Sequence, residues 1–269
     1  MDNEEYSKIE DIGELSSIYW KEMINRIHII ILVSSFKTLR WIEAIDNNVT
    51  NYYGFCVALR GLIESVSDTF YTLRKVPLTI ATDYMVIKKQ IHKMSKFLTT
   101  HKNLESELLH FIQATRLSKK QKIQYPKYYN SKQIKEYIES MTEKDDDSII
   151  YLYQILCGIS HPSYESTSLF LFMHEGETIV CNDSLSYERN LVEAILNTQK
   201  KTITKLFTVY INNIYSILIL LNKFDMKNIY SYISLENEFK KNCIWKEIET
   251  FIEKSKLKYK EALVTGKYN

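Results

Sequence analysis

Glycine and proline are scarce here, six and three among 269 residues. Average usage would supply roughly 19 and 13, at about 7% and 5%. Sandwiches, barrels and doubly wound folds spend these residues on tight turns, so such folds are disfavoured. Long helices with short polar connections fit the shortage better. Cysteine is sparse too: Cys56, Cys157, Cys181 and Cys243 lie far apart, with no CxxC pair and no histidine at ligand spacing. That argues against a zinc site or a disulfide framework and for reduced core thiols. No metal and no cofactor is expected. A strong charge of one sign is missing as well: 35 basic residues meet 33 acidic ones, for a net +2. That does not suggest a general nucleic-acid coat, and any basic surface must be local. Long apolar runs are also lacking. The stretch 27–33 is short, and 206–221 contains Asn212 and Asn213 and falls short of the roughly 20 residues of a membrane span. The second reads as a buried helix. Residues 1–10 are acidic and polar, unlike a signal peptide. A cytoplasmic protein with no membrane partner is expected. Glycine-rich phosphate loops, HExxH, GxSxG and paired-carboxylate patterns do not occur.

What is present is helical periodicity. With 45% hydrophobic residues there is material for a sizeable core. Apolar residues recur at helical spacing over about 15–45, 50–75, 78–98 and 104–117. Asp46, Asn47 and Asn48 close the first of these helices. Pro77 stops the second, and the polar cluster His101, Lys102, Asn103 precedes the fourth. The stretch 118–130 is irregular. Ser131 can cap a short helix reaching about Met141, and Asp147 can cap another. That helix must end at His161, because Pro162 disfavours helical geometry in the residue before it. A small hairpin is expected around 174–177. Ser184 or Ser186 then caps a long helix to about Asn222, and a last helix covers about 235–259. The expectation is an all-α chain forming one domain over 1–269. Its core bundle covers about 15–222, with the C-terminal helix packing on it.

Three features can carry chemistry. In YLYQILCGISHPSY, residues 151–164, Tyr153, Cys157 and His161 are spaced by four and are expected on one helical face. A histidine at a helix C-terminus can act as general acid or base near neutral pH, or its ring can simply cap the last carbonyls. In LRGLIESVSD, residues 59–68, Arg60, Glu64 and Asp68 form a charged stripe on an apolar helix. Arg60 and Glu64 can pair at i,i+4. Gly61 permits close helix approach beside them, and an arginine so held can take a phosphate bidentately. An ordinary solvated face would read the same way. Finally, Lys119, Lys120, Lys122, Lys127 and Lys132 interleave with Tyr125, Tyr128 and Tyr129. Lysines meet a phosphate backbone and tyrosines stack on unpaired bases, though a surface loop in a chain this rich in both also fits.

The pairing of LRGLIES with a later helix ending in LCGISHPS resembles the HEPN-like helical proteins of bacteria, closest to the branch of AbiV-type abortive-infection proteins. The likeness covers about 15–222. It implies a helical bundle, often dimeric, and for many members a metal-independent endoribonuclease used in phage defence or toxin–antitoxin systems. The hallmark is an arginine, four to six residues, then a histidine. His161 matches the histidine. The arginine would fall at Gln154, Ile155 or Leu156, and none is arginine. Either Arg60 supplies the charge, oriented by Glu64, or the site is catalytically dead. On the first alternative His161 is the acid or base and Ser163 and Tyr164 touch substrate, with Tyr153 and the Lys119–Lys127 group as further RNA contacts. On the second the chain is a non-catalytic helical interaction or regulatory subunit of a defence complex, binding a partner protein.

Overall fold

The computed structural model of the protein describes residues 12–87, 94–142, 146–174, 178–181, 184–223 and 233–265. The fold is all-α, as expected. In chain order the helices are α1 (Ile12–Asp46), α2 (Tyr52–Leu73), α3 (Lys75–Ile87), α4 (Met94–Gln113), α5 (Gln121–Gln124), α6 (Ile134–Glu139), α7 (Ser148–Ser160) and α8 (Tyr164–Ser168). After a hairpin come α9 (Leu185–Thr198), α10 (Lys200–Lys223), α11 (Ile233–Lys241) and α12 (Trp245–Thr265). The hairpin pairs β1 (Leu171–His174) with β2 (Thr178–Cys181) antiparallel, Leu171 opposite Cys181. Its turn at 175–177 and the acidic N-terminus 1–10 lie outside the described residues.

The chain divides into two compact units, each built from separated segments. The first takes the described residues of Met1–Ile31, Tyr71–Ser131 and Ile211–Asn269. Its apolar core includes Trp20, Met23, Ile27, Leu73, Ile80, Leu104, Ile217, Phe239 and Ile248. Within it the fully buried Asp83 accepts hydrogen bonds from Trp20 Nε1 at 2.6 Å, Ser16 Oγ at 3.0 Å and His101 Nε2 at 2.8 Å. Tyr19 stacks on the His101 ring with centroids 3.7 Å apart. A buried carboxylate is tolerated only when its lone pairs are met, and here three donors from two other helices meet them.

The second unit takes Leu32–Phe70 and Lys132–Tyr210. Its core is Phe55, Leu59, Leu62, Ile63, Val66, Ile149, Leu152, Leu156, Ile159, Val192 and Leu206. These positions fall three and four apart on α2 and α7, the apolar stripe that a packed helix presents. Side chains of this size contribute about 1.5–3 kcal/mol each when fully buried.

Several boundaries depart from expectation. Pro77 lies in the first turn of α3, where its missing N–H costs nothing, instead of ending α2. Helix α4 runs straight through His101–Asn103, because His101 turns inward to Asp83 while Lys102 and Asn103 face solvent. Ser131 caps nothing at α6: Gln133 holds the N-cap position, and Glu136 accepts its backbone N–H at 3.4 Å. Asp147 holds the N-cap position of α7 without a capping bond, and Asp146 Oδ1 accepts the Ser148 N–H at 3.0 Å instead. Asp146 also pairs with Lys205, and these bonds, that to Lys205 first, hold its carboxyl well below the usual carboxylate range. Ser184 caps α9, its hydroxyl accepting the Tyr187 N–H at 3.3 Å. The long helix expected after it is two, broken at Gln199. There Thr198 Oγ1 donates back to the Ala194 carbonyl at 2.8 Å, a bond known to bend helices. The last helix is also two, parted where buried Asn242 Oδ1 accepts the Ile244 N–H at 3.0 Å.

Helix α10 corrects the length expected of 206–221. Over Lys200–Asn222 its mean hydropathy is 1.4, so by length and composition it is long and apolar enough to cross a membrane. Among the described residues it is the one helix that passes this test, and 33% of the apolar window is buried inside the protein. Two of its polar side chains meet the chain itself: Tyr210 Oη contacts Ser34 and Thr38 hydroxyls at 3.0 and 3.1 Å, and the buried Asn213 Oδ1 accepts Cys243 Sγ at 3.7 Å.

Candidate functional site

Helix α2 brings the charged stripe to the end of α7. Asn51 Oδ1 accepts the Gly54 N–H at 2.8 Å, and Glu188 accepts the Tyr52 N–H at 2.7 Å. A carboxylate at this end satisfies an orphan donor and opposes the positive pole of the helix. Three turns on, Gly61 lies under the Trp41 indole of α1. A Cβ there would stand 2.5 Å from Trp41 Cζ2, so only glycine lets the two helices approach this closely.

Arg60 projects beside Gly61 and is half-buried. Its Nη1 donates to Ser160 Oγ at 3.1 Å and stands 3.3 Å from His161 Nε2. Its Nε lies 3.4 Å from Glu64 Oε1, and that same oxygen accepts the Tyr153 hydroxyl at 2.9 Å. Tyr153, Glu64, Arg60 and the Ser160–His161 pair thus form one continuous chain of contacts. Burial, and next the bond to Glu64, push the Tyr153 phenol well above its ordinary range, so it stays a donor. Arginine has donors only, so a hydrogen bond between the two requires a lone pair on His161 Nε2. The imidazole is exposed to solvent.

The turn that holds His161 is built by capping. The backbone of His161 is extended, as a residue before proline requires, and its N–H closes α7 onto the Cys157 carbonyl at 3.1 Å. The capping task expected of the ring is therefore done by the backbone, and the ring's Nε2 faces Arg60. Because His161 is not helical, the spacing of four from Cys157 does not carry through. Ser160 takes the next place on the Tyr153–Cys157 face. Ser160 was missed in sequence although it continues that face. Ser163 Oγ donates to the Gly158 carbonyl at 2.5 Å and caps α8 by accepting the Ser166 N–H at 3.2 Å, so its hydroxyl is engaged in the turn. Tyr164 is largely exposed beside it.

The lysine–tyrosine segment up to Ser131 belongs to the first unit, whereas Lys132, Arg60 and His161 belong to the second. Lys119, Lys120, Lys122 and Lys127 are all exposed. The segment is pinned at its base: Thr115 N–H donates to the Tyr129 carbonyl and Ser131 N–H to the Thr115 carbonyl, both at 2.9 Å. Tyr128 and Tyr129 stack on one another with centroids 4.8 Å apart. Among the described residues no three His, Cys, Asp or Glu side chains cluster closely enough to hold a metal ion. Comparison with protein-family models, with curated proteins and with solved structures found no match to this chain.

Proposed function

We propose that the chain is a HEPN-like protein of bacterial antiviral defence or toxin–antitoxin type, acting in the cytoplasm, which binds RNA and cleaves it without a metal at Arg60 and His161. The observation that carries this reading is the 3.3 Å approach of Arg60 Nη1 to His161 Nε2 at a solvent-open edge. It supplies from the neighbouring helix the cation that α7 lacks at Gln154, Ile155 and Leu156. A phosphodiester entering the edge takes the guanidinium as a bidentate donor, in place of His161. The freed Nε2 lone pair accepts the proton of the 2′-hydroxyl. The 2′-oxygen then bonds to phosphorus, the 5′-oxygen leaves and takes a proton from water, His161 returns its proton to the solvent, and a 2′,3′-cyclic phosphate remains. Arg60 offsets the charge that builds on the phosphoryl oxygens. Exposed Tyr164 provides a stacking surface beside His161.

A second reading is favoured by the same missing arginine on α7: a non-catalytic regulatory subunit that binds RNA or a partner protein of a defence complex. The two part in a cleavage assay in EDTA on total cellular RNA and tRNA, wild type beside His161→Ala. Cleavage that leaves cyclic-phosphate ends and disappears in the variant supports the nuclease. Intact RNA with both proteins, at concentrations where RNA is bound, supports the binding subunit.

A further inference from the structure

One stretch of the first unit carries base without acid. No Asp or Glu occurs between residues 108 and 135. Arg116, Lys119, Lys120, Lys122 and Lys127 lie within it, all exposed, and among the described residues none of the five pairs with a carboxylate. The loop that bears them is held in shape. Besides the bonds at its base, His110 Nδ1 donates to the Tyr128 carbonyl at 2.7 Å. The Lys122 N–H donates to the Ser118 carbonyl at 3.0 Å, closing the turn that opens α5. On this turn Lys119 and Lys120 stand four and three residues before Ile123, and so beside it. Ile123 is 87% exposed, more than any other large apolar side chain among the described residues, and Tyr125 is 48% exposed. An exposed apolar residue alone decides nothing. Its setting among lysines on a pinned loop does.

We infer that this loop docks on an anionic phospholipid surface. Ile123 enters the boundary between headgroups and acyl chains, Tyr125 sits at headgroup level, and the lysines meet the lipid phosphates. The charge is complementary, since clusters of roughly four to eight Lys and Arg side chains hold a protein to an anionic leaflet. Charge alone holds weakly, and an inserted apolar side chain is the second signal that a stable contact requires. That aliphatic tip also separates a bilayer from a nucleic acid. Unpaired bases stack on open aromatic faces. Here Tyr128 and Tyr129 are half-buried and stack on each other, and the Tyr125 ring lies 5.6 Å from that of Tyr129. The side chain left projecting furthest has no ring. Because the loop is already pinned, docking orders little that was loose. The contact is peripheral and asks for no spanning helix.

Co-sedimentation of the full chain with vesicles tests this, using phosphatidylcholine alone and phosphatidylcholine with about one-third phosphatidylglycerol. The chain is expected to pellet with the second and not with the first, and less as salt rises past about 0.1 M. Ile123→Ser, and the double variant Lys120→Gln with Lys122→Gln, each lower the partition onto anionic vesicles by about tenfold or more. Ile123→Leu keeps it. These sites are exposed, so far-UV circular dichroism and the urea midpoint stay at their wild-type values. No binding to the anionic vesicles overturns the inference. So does an Ile123→Ser variant that binds them as the wild type does, which would leave charge alone at work. A single-stranded RNA oligonucleotide is titrated in parallel. If the variants weaken RNA binding and leave vesicle binding unchanged, the loop is a nucleic-acid surface and the inference fails. RNA cleavage or its absence has no bearing on vesicle binding, so the result stands apart from the reading of Arg60 and His161.

Discussion

Tyr153 shows how much of the candidate site depends on single bonds. Its hydroxyl is spent on Glu64, and Glu64 in turn meets the Arg60 guanidinium. Its route to a substrate therefore runs through Arg60. Tyr153→Phe removes one hydrogen bond at a half-exposed carboxylate that water can re-solvate, so stability should fall by about 1 kcal/mol or less. RNA affinity should fall several-fold, because Glu64 loses the hydroxyl that holds it against Arg60. Titration of labelled RNA beside urea unfolding checks both. An unchanged affinity would mean that Glu64 needs no help. At this scale the sequence was informative about types and spacing. Arg60 and Glu64 at i,i+4 read as a pair and are one. Ser160 does not stand out in the sequence, because the spacing of four from Cys157 leads to His161, where the helix has already ended.

At the scale of elements, Gly61 ties fold to site. Gly61→Ala would gain about 1 kcal/mol in helix propensity but forces a Cβ to 2.5 Å from an indole carbon. Overpacking of that kind costs about 1–3 kcal/mol. Trp41 cannot yield like the end of a flexible chain, so net destabilisation is expected, together with weaker RNA binding through displaced Arg60. Urea denaturation of the variant at or above wild-type stability would contradict the close approach. The longer helices were legible from apolar spacing, whereas the short α5 and α8 were not. The breaks were not, because each is set by a bond between residues that sequence distance hides or composition does not distinguish. His101 looked like part of a polar break until Asp83 claimed it from 18 residues away. Thr198 and Asn242 end their helices by bonding nearby backbone, and nothing in their neighbours announces which threonine or asparagine will do so. Asp146 took the capping role from Asp147 with the added pull of Lys205, 59 residues on.

For the whole molecule, the shortage of glycine and proline was the best guide, since it pointed to long helices with few turns. It said nothing of the two compact units, because their segments are interleaved along the chain and no linker marks a boundary. The lysine–tyrosine segment and the Arg60–His161 pair fall in different units, a separation that composition could not show. The central claim is that Arg60 and His161 act as one site, and a double-mutant cycle addresses it most directly. Single-turnover RNA cleavage, or RNA affinity where cleavage is too slow, is measured for wild type, Arg60→Ala, His161→Ala and the double variant. If the two side chains work as a unit, the double variant is no worse than the worse single variant, since either loss disables the pair. Losses that multiply, or single variants that match the wild type, would mean that the 3.3 Å contact is packing at a helix end and not a site.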